Sequence, residues 1–205
     1  MHIVDGALAN EVVIGGSLLC AGGLVMGLRK LHMDLIPAAG VLSATFFVAS
    51  LIHVPLGVSS VHLIMNGLAG IILGWAAFPA LFVALLLQAV FFGFGGITVL
   101  GVNTLNIAGP ALIVGLIARP FLLGTSSATT FAIIGGIAGG AAIALTTIFV
   151  AVALSLSGDN FIAAAKLVFF AHIPIMIIEG LLSAAAMYLI FKVKPELLDA
   201  MGRKV

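Results

Sequence analysis

Seven apolar segments follow one another along this chain, at about residues 12–28, 35–53, 62–78, 80–94, 106–123, 128–156 and 166–191. Each is near or above the ~20 residues that an α-helix needs to cross a bilayer, the fourth being short and the sixth long. Little else can be built from such a chain. Charged residues make up 7% of it, against about 25% in a soluble domain, so they cannot cover a water-facing surface. A β-barrel would show segments of alternating apolar and polar residues, and this glycine-rich chain has few. The sequence therefore predicts an all-α integral membrane protein, a seven-transmembrane-helix bundle forming one polytopic domain over 1–205. A short segment, 1–10, precedes the first helix.

The basic residues orient the bundle, because cytoplasmic loops carry the excess of Lys and Arg. With the N-terminus outside, Arg29, Lys30, Arg119, Lys192, Lys194, Arg203 and Lys204 fall on the inner side and Lys166 alone on the outer. The C-terminus is then cytoplasmic and the first residues lie on the outer face. No Lys or Arg precedes Arg29, so a signal peptide, which needs a basic start, is not expected. Ser17-Leu18-Leu19-Cys20 is a poor lipoprotein site for the same reason, and because Leu19 is large. The single cysteine, Cys20, can form no disulfide within the chain. A net charge of +1 gives no nucleic-acid signal.

Glycines recur four apart: Gly23 and Gly27, Gly70 and Gly74, Gly135 and Gly139, Gly136 and Gly140. Such pairs let transmembrane helices approach closely, either within the bundle or at a face for another membrane subunit. The stretch from Gly95 to Asn106 is too apolar for a solvated loop and too rich in glycine for a clear helix. It is read as a loop folded over the outer mouth, since irregular backbone is tolerated where protein buries it.

The opening Met1-His2 is the feature with chemistry in it. A large second residue argues against removal of the initiator, so a free methionine amine stands beside a histidine. The amine, the His2 amide nitrogen once deprotonated, and His2 Nδ1 can close five- and six-membered chelate rings around one ion. Three nitrogens then lie nearly in a plane with one position open. That arrangement suits Ni(II) or Cu(II), with Co(II) also accommodated; zinc prefers a tetrahedron. The amine gives up its proton readily near neutrality.

The fourth donor is an imidazole on the same side. His32 follows Arg29-Lys30 and is cytoplasmic. His53 at the end of helix 2, His62 at the start of helix 3 and His172 in helix 7 remain, with His62 favoured by the small residues before it. Ionisable groups within spans indicate function by default, although a lone histidine is often a packing residue. Glu179 lies two helical turns from His172 on the same face, as a structural polar pair or as support behind the site. Asp5 either orients the His2 ring, as carboxylates behind metal ligands do, or caps helix 1.

These residues resemble a known family. Met1-His2-Ile3 with Asp5-Gly6, Ser59-Ser60-Val61-His62-Leu63, Gly95-Gly96-Ile97-Thr98 running to Asn103 and Asn106, and Ala171-His172-Ile173-Pro174 with Glu179-Gly180 are similar to the CbiM/NikM family. Its members are the substrate-binding (S) membrane components of energy-coupling-factor transporters for cobalt and nickel. The resemblance covers nearly the whole chain and implies a metal-capture subunit of the cell inner membrane that takes Co(2+) or Ni(2+) as transported substrate, not as a cofactor. It implies metal ligation by Met1, His2 and His62, with Asp5, Ser60, Thr98, Asn103, Asn106 and His172 around or behind the site. It also implies partners: a transmembrane coupling (T) subunit, two cytoplasmic ATPase subunits and a small accessory membrane subunit. The chain is no enzyme on this reading, and it carries no Gly-x-x-x-x-Gly-Lys-[Ser/Thr] phosphate loop. Many members have a histidine where this chain has Phe94, and some extend into the accessory subunit where this chain stops at Val205.

Two other classes stand against this reading. A membrane metalloenzyme would need an open metal position and a general base. An uncoupled channel or carrier would want polar residues strung across the bundle.

Overall fold

The computed structural model describes residues 2–56, 58–195 and 197–198. Helices dominate. Five helical stretches are long and apolar enough to cross a membrane: Asn10–Lys30, Asn66–Phe92, Leu100–Leu123, Ala128–Leu156 and Asp159–Val193; Met33–Ala49 is apolar but shorter. The protein is a multi-pass membrane protein, and its outward faces suit lipid. Leu18 and Leu19 on the first helix, Ile137 on the long helix, and Leu181 and Leu189 on the last are all exposed.

The first helix, α1, is Asn10–Lys30. After a short 3-10 turn, α2 runs over Ile36–Ala49, opening on a proline in its first turn, where a missing N–H costs nothing. The expected helix 2 was to continue to His53. Instead Ser50 returns its hydroxyl to Phe46 O, and the chain enters a β-hairpin. Strands β1 (His53–Leu56) and β2 (Ser59–His62) pair antiparallel, with His53 opposite His62. His53 therefore does not close helix 2, and His62 does not open helix 3. Pro55, next to the turn, has no N–H to continue a helix.

Helix α3 is Asn66–Leu73 and α4 is Ala77–Phe92. Composition alone would run them together as one rod of 27 residues, which at 1.5 Å per residue would be about 40 Å long. Yet His62, just before α3, and Gln88, near the end of α4, both touch His2. The chain must fold back between them. It does so at Gly74, whose φ of +55° is open to glycine, and at the 3-10 turn Gly74–Ala76. Arg119 caps this reversal, donating to Ile71 O at 2.8 Å and Ile72 O at 2.9 Å. Those carbonyls belong to the last turn of α3 and have no helical partner of their own.

Helix α5 is Leu100–Leu123 and starts about six residues earlier than expected. Asn103 and Asn106 thus sit on a helix rather than in the mouth loop, which is confined to Gly93–Val99. Helix α6 is Ala128–Leu156, its first turn capped by the Ser127 hydroxyl accepting from Thr130 N. Helices α7 (Ile162–Ala171) and α8 (Ile173–Val193) replace one expected segment. Pro174 cannot donate to the turn before it, so the helix breaks at His172.

The glycine pairs are used inside the bundle. A Cβ at Gly23 would strike Phe78, and one at Gly27 would strike Pro79 and the Trp75 carbonyl. Gly135, Gly136, Gly139 and Gly140 of α6 face α8 at Met187, Ala184, Ser183 and Met176. A Cβ at Gly70 would land on the Ala111 backbone, so α3 and α5 meet backbone to backbone. This is the close helix approach that small residues allow.

Candidate metal site

The segment before α1 is strapped to three elements. Ile3 is fully buried, and Asn103 of α5 holds both its backbone groups: Oδ1 accepts from Ile3 N and Nδ2 donates to Ile3 O, each at 3.0 Å. Val4 N donates to Val58 O in the hairpin turn at 3.2 Å. Asp5 N donates to Gly95 O in the mouth loop at 2.8 Å. The segment is therefore built into the end of the bundle, and this fixes where His2 points.

His2 and His62 are 4% and 2% exposed, and their rings stack with centroids 4.7 Å apart. His62 Nε2 stands 3.1 Å from His2 Nδ1. Which nitrogens carry hydrogen follows from their outer partners. His62 Nδ1 is 2.8 Å from Leu63 O, and a carbonyl only accepts, so Nδ1 holds the proton and Nε2 the lone pair. Gln88 Nε2 donates to Phe47 O at 3.1 Å and to Ser50 Oγ. That fixes its Oε1 toward His2 Nε2, 2.8 Å away, so His2 donates there and keeps its lone pair on Nδ1. The two nitrogens facing each other both present lone pairs.

Burial holds the rings neutral. It is the largest influence on both, pushing His2 down to about 3 and His62 well below the usual imidazole range. Two converging neutral imidazole lone pairs repel unless a cation lies between them. An ion 2.0–2.1 Å from each nitrogen would hold them about 2.9 Å apart at a right angle and about 3.4 Å apart at the tetrahedral angle. The observed 3.1 Å falls between. Among the described residues no three His, Cys, Asp or Glu side chains gather into a metal-binding group, so the site itself offers two side-chain donors.

The other residues singled out from the sequence divide. Met1 lies outside the described residues. The Ser60 hydroxyl accepts from His2 N at 3.4 Å, at the edge of the site. Asp5 neither orients the His2 ring nor caps α1: it accepts from the Thr98 hydroxyl and from Val99 N, tying the mouth loop to the N-terminal segment. Asn106 is buried away from the rings and lines a separate apolar cavity with Val12, Gly16 and Val102. His172 donates from Nδ1 to Val168 O at 2.6 Å, at the α7–α8 joint. Glu179 does not pair with it in that bond. Its carboxylate accepts from Ile64 N and Met65 N, holding the turn after His62 from behind. Met65 adopts φ +56° there, the one left-handed non-glycine among the described residues.

Gln88 was missed. It is the single polar side chain of α4 and fully buried, which is a signal in itself, because polar groups within membrane helices need a reason. Its partners Phe47 and Ser50 end α2, so three separate segments fix one histidine tautomer.

The family model described as the cobalt uptake substrate-specific transmembrane region matches residues 2–197. A putative metal transport protein of Haemophilus influenzae is 38% identical, over 97% of each chain. A fused nickel transport protein of Rhodobacter capsulatus is 38% identical over 136 residues, 62% of this chain and 38% of that one. The crystal structure of a truncated transition metal transporter superposes with a TM-score of 0.75 at 26% identity, covering 94% of this chain and 99% of that chain.

Proposed function

This chain belongs to the CbiM family of cobalt uptake substrate-specific transmembrane proteins, and from that premise we propose that it is the metal-capture subunit of an energy-coupling-factor importer for Co(II) or Ni(II). The observation that carries the reading is the meeting of two imidazole lone pairs, His2 Nδ1 and His62 Nε2, at 3.1 Å. Neutral nitrogens fixed in that tautomer are ready to take a divalent ion without first losing a proton. The Met1 amine and the His2 amide nitrogen complete a chelate of four nitrogens, in which the amide hydrogen now directed at Ser60 is displaced. Affinity rises from cobalt to nickel in such a site, so it takes both.

The metal-binding end faces outward on this proposal. Helix α1 runs from that end to Arg29 and Lys30, and α5 runs from Asn103 to Arg119. The basic residues thus lie at the far end, as cytoplasmic residues should. Counting α3 and α4 as one crossing each, and α7 with α8 as one broken helix, the chain crosses seven times. Release to the inside is the work of a transmembrane coupling subunit and two ATPase subunits, together with a small accessory membrane subunit.

Metal titration of the purified protein tests the reading. Wild type takes up one Co(II) or Ni(II). His2→Ala, His62→Ala and a variant with one extra residue before Met1 lose specific binding, while His32→Ala keeps it. Wild-type affinity and stoichiometry in the extended variant would overturn the N-terminal chelate.

A further inference from the structure

Against the His2 ring lies a cavity of about 130 Å³, walled also by His53, Ser59, Ser60, Phe94 and Gly95. It has room for several waters at about 30 Å³ each. One feature of its wall is unused by the chelate. His53 is half-buried on the same wall, its ring edge-on to Phe94 at 4.3 Å between centroids. Its Nδ1 lies 3.3 Å from Leu51 O. A carbonyl accepts, so Nδ1 carries the hydrogen and Nε2 is left with a lone pair. The hairpin register places His53 opposite His62, so the strand that presents the deep ligand is paired with the strand that presents this outer imidazole.

We propose that this cavity is a transit site for a partly hydrated divalent transition-metal ion, with His53 as its ligand. The inference rests on the capture reading above. The ion exchanges one water for His53 Nε2 at the outer wall. It then exchanges His53 for His2 Nδ1 as it moves inward, and His53 is left free for the next ion. The step costs less than bare dehydration because each ligand leaves only as another arrives. A transit ligand lowers the barrier in both directions and leaves the end state untouched, so it changes rates and not affinity.

Stopped-flow absorbance with Co(II) alone, on the purified full chain, separates the outcomes. In His53→Ala, association and dissociation both slow by about tenfold, within the range over which on-rates vary among related sites, and the equilibrium constant is unchanged. Unchanged association in His53→Ala, or any loss of equilibrium affinity, overturns the proposal: the first makes the cavity a water pocket, the second makes His53 a structural or final ligand. Wild type that takes up no Co(II) sinks the capture reading itself, whereas wild-type binding with unaltered His53→Ala rates sinks only the transit site.

Discussion

The side chain of Asn103 pairs with the backbone of Ile3 as a neighbouring strand would, accepting from its N–H and donating to its C=O at 3.0 Å each. A residue in the first turn of α5 thereby sets the depth of a segment a hundred positions earlier, and the His2 ring is one residue from that anchor. Removing it leaves two buried backbone groups unpaired, at about 1–3 kcal/mol each. Asn103→Ala should lower metal affinity by tenfold or more while helical content is kept, as read by calorimetric titration and circular dichroism. Asn103→Asp keeps the acceptor and loses the donor, so its affinity should fall between the two. Wild-type affinity in Asn103→Ala would mean that the anchor does not set the site.

Gln88 fixes which His2 nitrogen is free. Replacing it with Leu removes the acceptor at His2 Nε2 and leaves the ring free to carry its proton on Nδ1, the wrong nitrogen for the ion. Partners behind metal ligands are typically worth about 10–100-fold in affinity, and Gln88→Leu should lose that much. Nitrogen-15 spectra of the metal-free protein should show the His2 proton on Nε2 in wild type and a mixture of tautomers in the variant. An unmixed wild-type pattern in the variant would show that something other than Gln88 sets the tautomer.

Much of this site was legible in the sequence, and the failures have physical causes. Side and chemistry left His53, His62 and His172 as partners for the terminal histidine; the small residues before His62 favoured it, and the family resemblance selected it. The hairpin could not, because an apolar run from Leu51 to His62 suits a helix end as well as a buried strand, and periodicity does not separate them. Asn103 was placed in a loop because Gly95, Gly96 and Gly101 diluted the helical signal, yet Gly101 packs against Ser17 of α1 from within a helix. Gln88 and Glu179 act on partners 86 and 115 positions away, and no local pattern announces such a pairing. The reversal at Gly74 falls inside the expected segment 62–78, and the sequence marked a break only at residue 79. In the fold Gly74 takes a positive φ and Arg119 holds the carbonyls just before it.

Acid should loosen the N-terminal segment. Burial pushes the seated His2 ring down to about 3 and the His62 ring well below its usual value, whereas free imidazoles titrate at about 6.5. The released state therefore binds more protons below about 6.5, so stability of the seated state, fully present above that pH, falls as pH is lowered. With both rings taking up a proton on release, the limiting slope is about 2.7 kcal/mol per pH unit. Hydrogen exchange of the Ile3 and Asp5 amides, corrected for intrinsic rates, should lose protection between pH 6.5 and 5 in the metal-free protein. Loss of protection on raising the pH instead would reverse the assigned protonation states.

The approach of α3 to α5 is the last link between packing and metal. Helix α3 begins four residues after His62 and is eight residues long, so any shift of it is carried to the ring. Gly70 faces the Ala111 backbone, with no flexible side chain between them to give way. A methyl group there must drive the helices apart, and overpacking of this kind costs about 1–3 kcal/mol. Gly70→Ala should lower the thermal midpoint in detergent and weaken Co(II) binding together. Gly15→Ala, whose Cβ meets nothing within 4 Å, should change neither. If Gly70→Ala lowered the midpoint but bound metal at wild-type strength, the His62 ring would be held by the hairpin and by Glu179 alone, and α3 would be scaffolding without influence on the site.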